Sequence, residues 1–258
     1  MKQYIKNFTK YRFLLAELVK KGIKLKYRRS YLGILWTLLE PLMTMMVLTL
    51  VFGTFFGKDD PTFPVYILTG RLLYSCFSTS TKMAMKSIRQ NAPMIKKVYV
   101  PKYMYPLSAV LYEYIIFLIS LIVLVGVAGV LQVKPTIYMF QAIIPLVILF
   151  IMVLGVGLIL STLAVFFRDL EYIWGVALML IMYTCAIFYQ PERVIGTGNG
   201  WVFSINPLYA TIANFRDAVF GRPLGMYNLC FSAIFAVGSL IVGIVIFVKN
   251  QDKFILHI

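Results

Sequence analysis

From residue 139 to residue 165 the chain carries no charged side chain, and five further stretches of similar length carry at most one each. A run of about 20 apolar residues is what a helix needs to cross a bilayer's hydrocarbon core. The stretches lie near 34–56, 64–81, 106–131, 139–165, 172–190 and 228–248, and they predict an all-α polytopic membrane protein with six transmembrane helices. Composition agrees: 14% of residues are charged against roughly 25% in soluble domains, too little polar surface for a chain wetted all round. The second stretch is the most polar, diluted by Arg71 and by Ser75, Ser78, Thr79, Ser80 and Thr81. The fourth holds Pro145, which predicts a kink or an interfacial turn. It also holds Gly155, Gly157 and Ser161, small residues that let helices approach closely.

The net charge of +15 reads as membrane orientation, because Lys and Arg accumulate in cytoplasmic loops; no nucleic-acid partner is expected. With the N-terminus inside, 19 of the 25 Lys and Arg fall in 1–33, 82–105, 166–171 and 249–258, and five fall on the other side. Both termini are thus expected in the cytoplasm. The chain divides into a cytoplasmic segment (1–33), a six-span domain (34–248) and a cytoplasmic tail (249–258).

Within the first segment, Tyr11, Leu14, Leu15, Leu18, Val19 and Ile23 recur at helical spacing opposite Lys10, Glu17, Lys20, Lys21 and Lys24. Such an amphipathic helix lies in the membrane interface, packs on its own protein, or does both. Two loops are longer than connection requires. Residues 82–105 hold Pro93 and Pro101 and are followed by Pro106, which confine any helix to a short basic piece that either docks another protein or is a solvated loop. Residues 191–227 are apolar in places. They predict short re-entrant or interfacial helices broken at Asn206-Pro207 and at Gly221-Arg222-Pro223, with an amphipathic lid as the competing arrangement.

Catalytic chemistry has little to work with. His257 is the only histidine, and no His/Cys/Asp spacing suits a metal. Cys76, Cys185 and Cys230 lie in apolar stretches and read as packing residues. No cleavable leader is visible at the N-terminus. The nearest approach to a phosphate-binding loop, Gly53 to Asp59, is one residue short between its glycines and has Asp where Ser or Thr belongs. If ATP drives this protein, another chain binds it.

Charges inside the spans are functional candidates because burying them is costly. Glu40 and Glu113 lie near the cytoplasmic ends of spans one and three, and Arg71 lies about two turns into span two. They form either a shared polar layer with Arg28 and Arg29 or separate snorkelling and interhelical pairs. Arg28 and Arg29 suit bidentate contact with a phosphate or pyrophosphate, or ordinary headgroup contact. Aromatic side chains inside spans, among them Phe52, Tyr74, Phe77, Tyr183 and Phe188, serve packing or the stacking of sugars.

The run YRRSYLGILWTLLEPL (27–42), then VFGTFF (51–56), MIKKVYVPKYMYPL (94–107), FFRDLEYIW (166–174) and INPLYATIANFRDAVFG (205–221) together resemble the ABC-2 type permeases that export polysaccharides and teichoic acids. The resemblance implies a homodimer bound to two copies of a separate ABC ATPase, which holds ATP and Mg; no cofactor is expected in this chain. It implies a polyprenyl-pyrophosphate-linked glycan of O-antigen, capsule or teichoic-acid type as substrate, in the bacterial cytoplasmic (inner) membrane. The family's coupling helix falls on Asn91 to Val98, including Met94, Ile95, Lys96 and Lys97. Glu40 departs from the family, where a neutral residue such as Asn often precedes the proline.

The expected function is therefore that of a permease subunit and not an enzyme. Lipid pyrophosphate would enter at Arg28, Arg29 and Glu40, and a passage along spans one and five would be lined by Trp36, Phe52, Tyr74, Phe77, Trp174, Tyr183 and Phe188. The rival readings are an ABC-2 exporter of a small hydrophobic drug or lipid, and a membrane-embedded glycosyl- or acyltransferase.

Overall fold

The computed structural model describes residues 2–28, 30–56, 60–98, 100–196, 198 and 200–257. No strand occurs among them. The helices are α1 (Lys2–Tyr27), α2 (Trp36–Phe56), α3 (Phe63–Gln90), α4 (Ala92–Lys97), α5 (Met104–Val130), α6 (Ile143–Phe166), α7 (Leu170–Thr184), α8 (Pro191–Ile195), α9 (Trp201–Ile205), α10 (Pro207–Val219), α11 (Met226–Asn250) and α12 (Phe254–His257). Short 3₁₀ turns at Gly33–Leu35, Ile137–Ala142 and Gln251–Lys253 lead into α2, α6 and α12.

By length and composition, four segments can cross a membrane: Gly33–Gly53, Met104–Val130, Ile137–Phe166 and Met226–Leu256. α3 has 28 residues but carries the hydroxyl-rich stretch. α7 has only 15, about 22 Å at 1.5 Å per residue, and ends six residues before the expected close at 190. The reason is a backbone break. Ala186 has φ 46°, a left-handed conformation that no α-helix continues through. Cys185 to Phe188 are buried, so their carbonyls need protein donors. Tyr66 Oη shares its single proton between Ala186 O (3.0 Å) and Tyr189 O (2.9 Å), and Arg216 Nη1 donates to Ala186 O at 3.1 Å.

α3, α5, α6 and α11 form the central block. α6 crosses α11 where neither chain has a side chain to spare: a Cβ on Gly155 would lie 2.5 Å from Leu240 N, and one on Gly243 would lie 2.7 Å from Gly155 O. A Cβ on Gly157 would meet Ala84 of α3 at 2.9 Å. α2 leans on α3 and α5. Its internal Pro41 has no N–H to offer the carbonyl four residues back, and Ser120 Oγ of α5 donates to that carbonyl, Thr37 O, at 3.0 Å.

α10 re-enters the block. Nine of its 13 residues are buried, and it packs on α3, α6 and α11, so the arrangement is not a surface lid. Asn206 makes the expected break: its Oδ1 accepts from Leu208 N and Tyr209 N, capping α10. The second break comes at Gly221, φ +73°.

At the opposite end, α1 lies along α5. Val19, Ile23 and Tyr27 pack on Ala109, Tyr112 and Ile116, and Tyr11, Leu14, Leu15 and Leu18 join a second core with Ile88, Ile95, Phe247 and Phe254. The amphipathic helix thus packs on its own protein along its apolar stripe. Arg12, Phe13, Lys20, Lys21, Lys24 and Leu25 remain exposed.

Candidate functional site

α1, α2, α3 and α5 converge on a polar cleft of about 80 Å³ lined by Lys26, Tyr27, Thr37, Glu40, Arg71, Ser75, Thr79, Glu113 and Ser120. Its fixed element is an ion pair. Lys26 Nζ donates to both Glu113 oxygens, at 3.0 and 2.8 Å, with the carboxylate 5% exposed and the lysine 36%. A charge that deep needs a partner within reach, and the last turn of α1 supplies it. Burial, then the charges of Glu113 and Glu40, pushes the Tyr27 hydroxyl up to about 12, so it stays protonated and able to donate.

Glu40 and Arg71 open onto the same cleft. Neither makes an ion pair within 4.0 Å among the described residues. The cleft therefore offers one paired and one unpaired charge of each sign, ringed by hydroxyls. It can receive a zwitterionic or anionic headgroup, and no group of three metal-binding side chains occurs among the described residues.

Arg28 is exposed at the end of α1, bordering an open recess with Leu25, Lys26 and Ser30. Arg29 lies outside the described residues. Gly33, φ +52°, then turns the chain into α2; L residues with a side chain rarely take that backbone angle.

α4 is the short helix expected between the prolines. Asn91 precedes it, holding Ser87 O through Nδ2 at 2.8 Å. Ile95 is buried and Met94 partly so, both packed on the second core, while Lys96, Lys97 and Val98 face outward. The helix is thus anchored by its apolar side and presents two cations away from the bundle.

Aromatic side chains divide into two groups. Tyr74 and Phe77 are buried and join α3 to α7: Tyr74 Oη donates to Leu178 O at 2.8 Å, and Phe77 lies against Trp174 with centroids 6.2 Å apart. Trp174 Nε1 donates to Thr81 Oγ1 at 3.1 Å. Phe188 is buried and stacks on Phe52 at 5.0 Å. Trp36 and Tyr183, by contrast, are exposed, as is Tyr172 on α7, which sequence reasoning did not single out. They belong to two of the apolar faces without protein cover, Met43, Met46, Val47 and Leu50 on α2, and Tyr172, Ile173, Val176 and Leu180 on α7; α11 carries another, with Ile234, Ile241 and Val245.

Two further interactions had no sequence signal. Glu171 at the start of α7 pairs with Lys86 and Arg89 of α3, both at 3.1 Å. Arg216 is 6% exposed; besides Ala186 O it donates to Tyr66 O at 3.1 Å and Thr69 Oγ1 at 3.4 Å, with its guanidinium 3.6 Å from the Tyr66 ring centroid.

Comparison with known proteins gives these features a setting. The chain is 30% identical over 243 residues to the O-antigen export system permease protein RfbA of Klebsiella pneumoniae, covering 93% of each. It is 27% identical to a protein of the same name from Myxococcus xanthus, over 84% of each. It is 22% identical to the polysialic acid transport protein KpsM of Escherichia coli, over 90% and 91%. The ABC-2 type transporter profile matches residues 14–220. A match over that length, taking in the cleft, α4, the uncovered faces of α2 and α7, and α10, makes this chain a member of the ABC-2 type transporter family.

Proposed function

We propose that the protein is the membrane subunit of an ATP-driven polysaccharide exporter, with both termini in the cytoplasm and the ATPase on a separate chain. The observation that carries this reading is the match along more than nine-tenths of the chain to an O-antigen export permease, with a polysialic acid transport protein matching over 90% of the chain.

In this reading α2, α3, α5, α6, α7 and α11 are the six crossings, and two copies meet through the uncovered faces of α2 and α7. An apolar face on a protein's only interface with lipid needs no explanation; here the two faces also carry Trp36, Tyr172 and Tyr183, rings on which sugars stack. The glycan is linked to a polyprenyl pyrophosphate, which Arg28 and Arg29 meet at the cytoplasmic leaflet. The cleft at Glu40, Arg71 and Glu113 lies next along α2. Lys96 and Lys97 present α4 to the ATPase, and the anchoring of Ile95 transmits its displacement into the bundle.

The test is reconstitution with the cognate ATPase, followed by ATP hydrolysis with and without the cell's own lipid-linked glycan. Stimulation by the glycan-lipid, reduced by Arg28→Ala plus Arg29→Ala, is the expected result. Stimulation by small hydrophobic compounds and none by glycan-lipid would replace polysaccharide with a drug or lipid substrate.

A further inference from the structure

A second polar cavity sits at the other end of the molecule. A cavity of about 470 Å³ opens between the start of α3, α8, α10 and the start of α11, within the range of small-molecule sites. Its wall is unlike the rest of the chain. Three of the protein's ten acidic residues, Asp60, Glu192 and Asp217, line it, although the protein as a whole carries +15. They do not converge as metal ligands: no metal-holding group of three occurs among the described residues.

The carboxylates are instead spread around the cavity and interleaved with the amides of Gln190 and Asn228 and the cations of Arg216 and Arg222. Tyr209 and Phe220 supply aromatic surface. Tyr66 also lines the cavity, but its ring is covered by Arg216 and its hydroxyl is already committed to two carbonyls. Two parts of the wall are fixed in place. Asp60 is fixed by accepting from Thr62 N and Thr62 Oγ1 through one oxygen, and Asp217 and Tyr209 sit on the buried helix α10. Separated carboxylates and amides that accept and donate, beside aromatic faces, are the chemistry that binds a polyol ring: hydroxyls to the polar groups, the C–H face to the rings.

We propose that this cavity is a glycan subsite on the exit side of the transporter, taking one or two sugar residues of the emerging polymer. The proposal rests on the polysaccharide-export reading and on its orientation. Holding sugars there would oppose backward slippage of the chain between strokes of the ATPase.

The experiment uses the complete transporter in cells. A photo-crosslinking p-benzoylphenylalanine replaces Phe220 in the cavity, Tyr183 on the uncovered face of α7, or Ile241, an exposed apolar position of α11. After irradiation, the purified protein is probed for attached polysaccharide. The expected result is a glycan adduct at Phe220 and none at Ile241. In a Glu192→Gln plus Asp217→Asn background the Phe220 adduct should fall about tenfold, the scale of one lost charge-assisted hydrogen bond. Glu192→Gln alone, on an exposed side chain, should lower it about threefold without a folding defect.

If deleting the gene for this chain leaves surface polysaccharide unchanged, the export reading falls and the subsite with it. If deletion removes surface polysaccharide and Tyr183 yields an adduct while Phe220 yields no more than Ile241, export stands and the subsite is overturned. A Phe220 adduct indifferent to both substitutions overturns the recognition assigned to Glu192 and Asp217.

Discussion

Arg216 allows a prediction in which the gentler substitution does more harm. Its guanidinium holds Ala186 O, Tyr66 O and Thr69 Oγ1 in a fork that an ammonium cannot reproduce. Arg216→Lys keeps a buried cation, with its full desolvation cost, and forfeits about two of the three bonds. At about 1.5 kcal/mol or more for each bond to a charged group, the local cost is about 3 kcal/mol. Arg216→Met forfeits all three bonds but also removes the buried charge. It leaves neither carbonyl without a donor, since Ala186 O keeps its share of the Tyr66 Oη proton and Tyr66 O keeps Thr69 Oγ1 at 2.8 Å. The net cost is then within about 1.5 kcal/mol.

Cys185 reports the difference. It is buried beside the break, with Asn206 Nδ2 3.3 Å from its sulfur, so a maleimide reaches it only when the 185–190 segment opens. In a Cys76→Ala, Cys230→Ala background, Arg216→Lys should speed labelling on the order of 10²-fold and Arg216→Met by about tenfold or less. Equal rates for Arg216→Lys and the parent would refute the account, and so would a methionine variant that labels faster than the lysine one.

Three other outcomes follow from the packing. Gly155→Val places a side chain against the α11 backbone at Ser239 and Leu240; because that backbone cannot step aside, it should cost about 3 kcal/mol or more, read as lost protein in the membrane or a lower Tm in detergent. Lys26→Met leaves Glu113 buried without its cation and should destabilise the subunit by about 2–3 kcal/mol, less than the 3–5 of a fully buried pair because Lys26 is partly exposed. Adding Glu113→Gln should restore much of that in a thermal-unfolding double-mutant cycle, and simple additivity would count against the pair. Lys96→Glu plus Lys97→Glu should abolish co-purification of the ATPase while leaving the subunit's Tm unchanged, because both side chains are exposed and Ile95 remains in place; retained co-purification would argue that α4 docks through other contacts.

Much of this architecture can be read from local pattern. The apolar stripe of α1, the prolines around α4, the glycines of α6 and the breaks at Asn206 and Gly221 are all short-range signals, each with a backbone reason. The end of α7 is not legible, because Cys185 to Gln190 continues the apolar composition of the helix before it and the break is stabilised from 120 or more residues away by Tyr66. The cleft is half legible. Glu40, Arg71 and Glu113 stand out as charges within apolar runs, but Lys26 looks like one of many surface lysines until the fold brings it to Glu113, 87 residues on. Tyr74 and Trp36 illustrate the same limit. Both are aromatic residues in or at the edge of a span, yet one is sealed between α3 and α7 and the other faces outward.

The Lys26–Glu113 tie has a mechanical consequence. α1 is fastened to α5, not to α2, which follows it in the chain across Gly33. α3, α5, α6 and α11 are mutually interlocked, with α10 wedged among them, and α4 is fixed to that assembly through Ile95. α2, buried over only 11% of its spanning window, and α7, joined to α3 by a few polar ties, ride on the outside. In the proposed exporter, a push delivered at α4 would therefore move this interlocked unit as one body, and the width between two subunits would be set by how α2 and α7 roll on its outside.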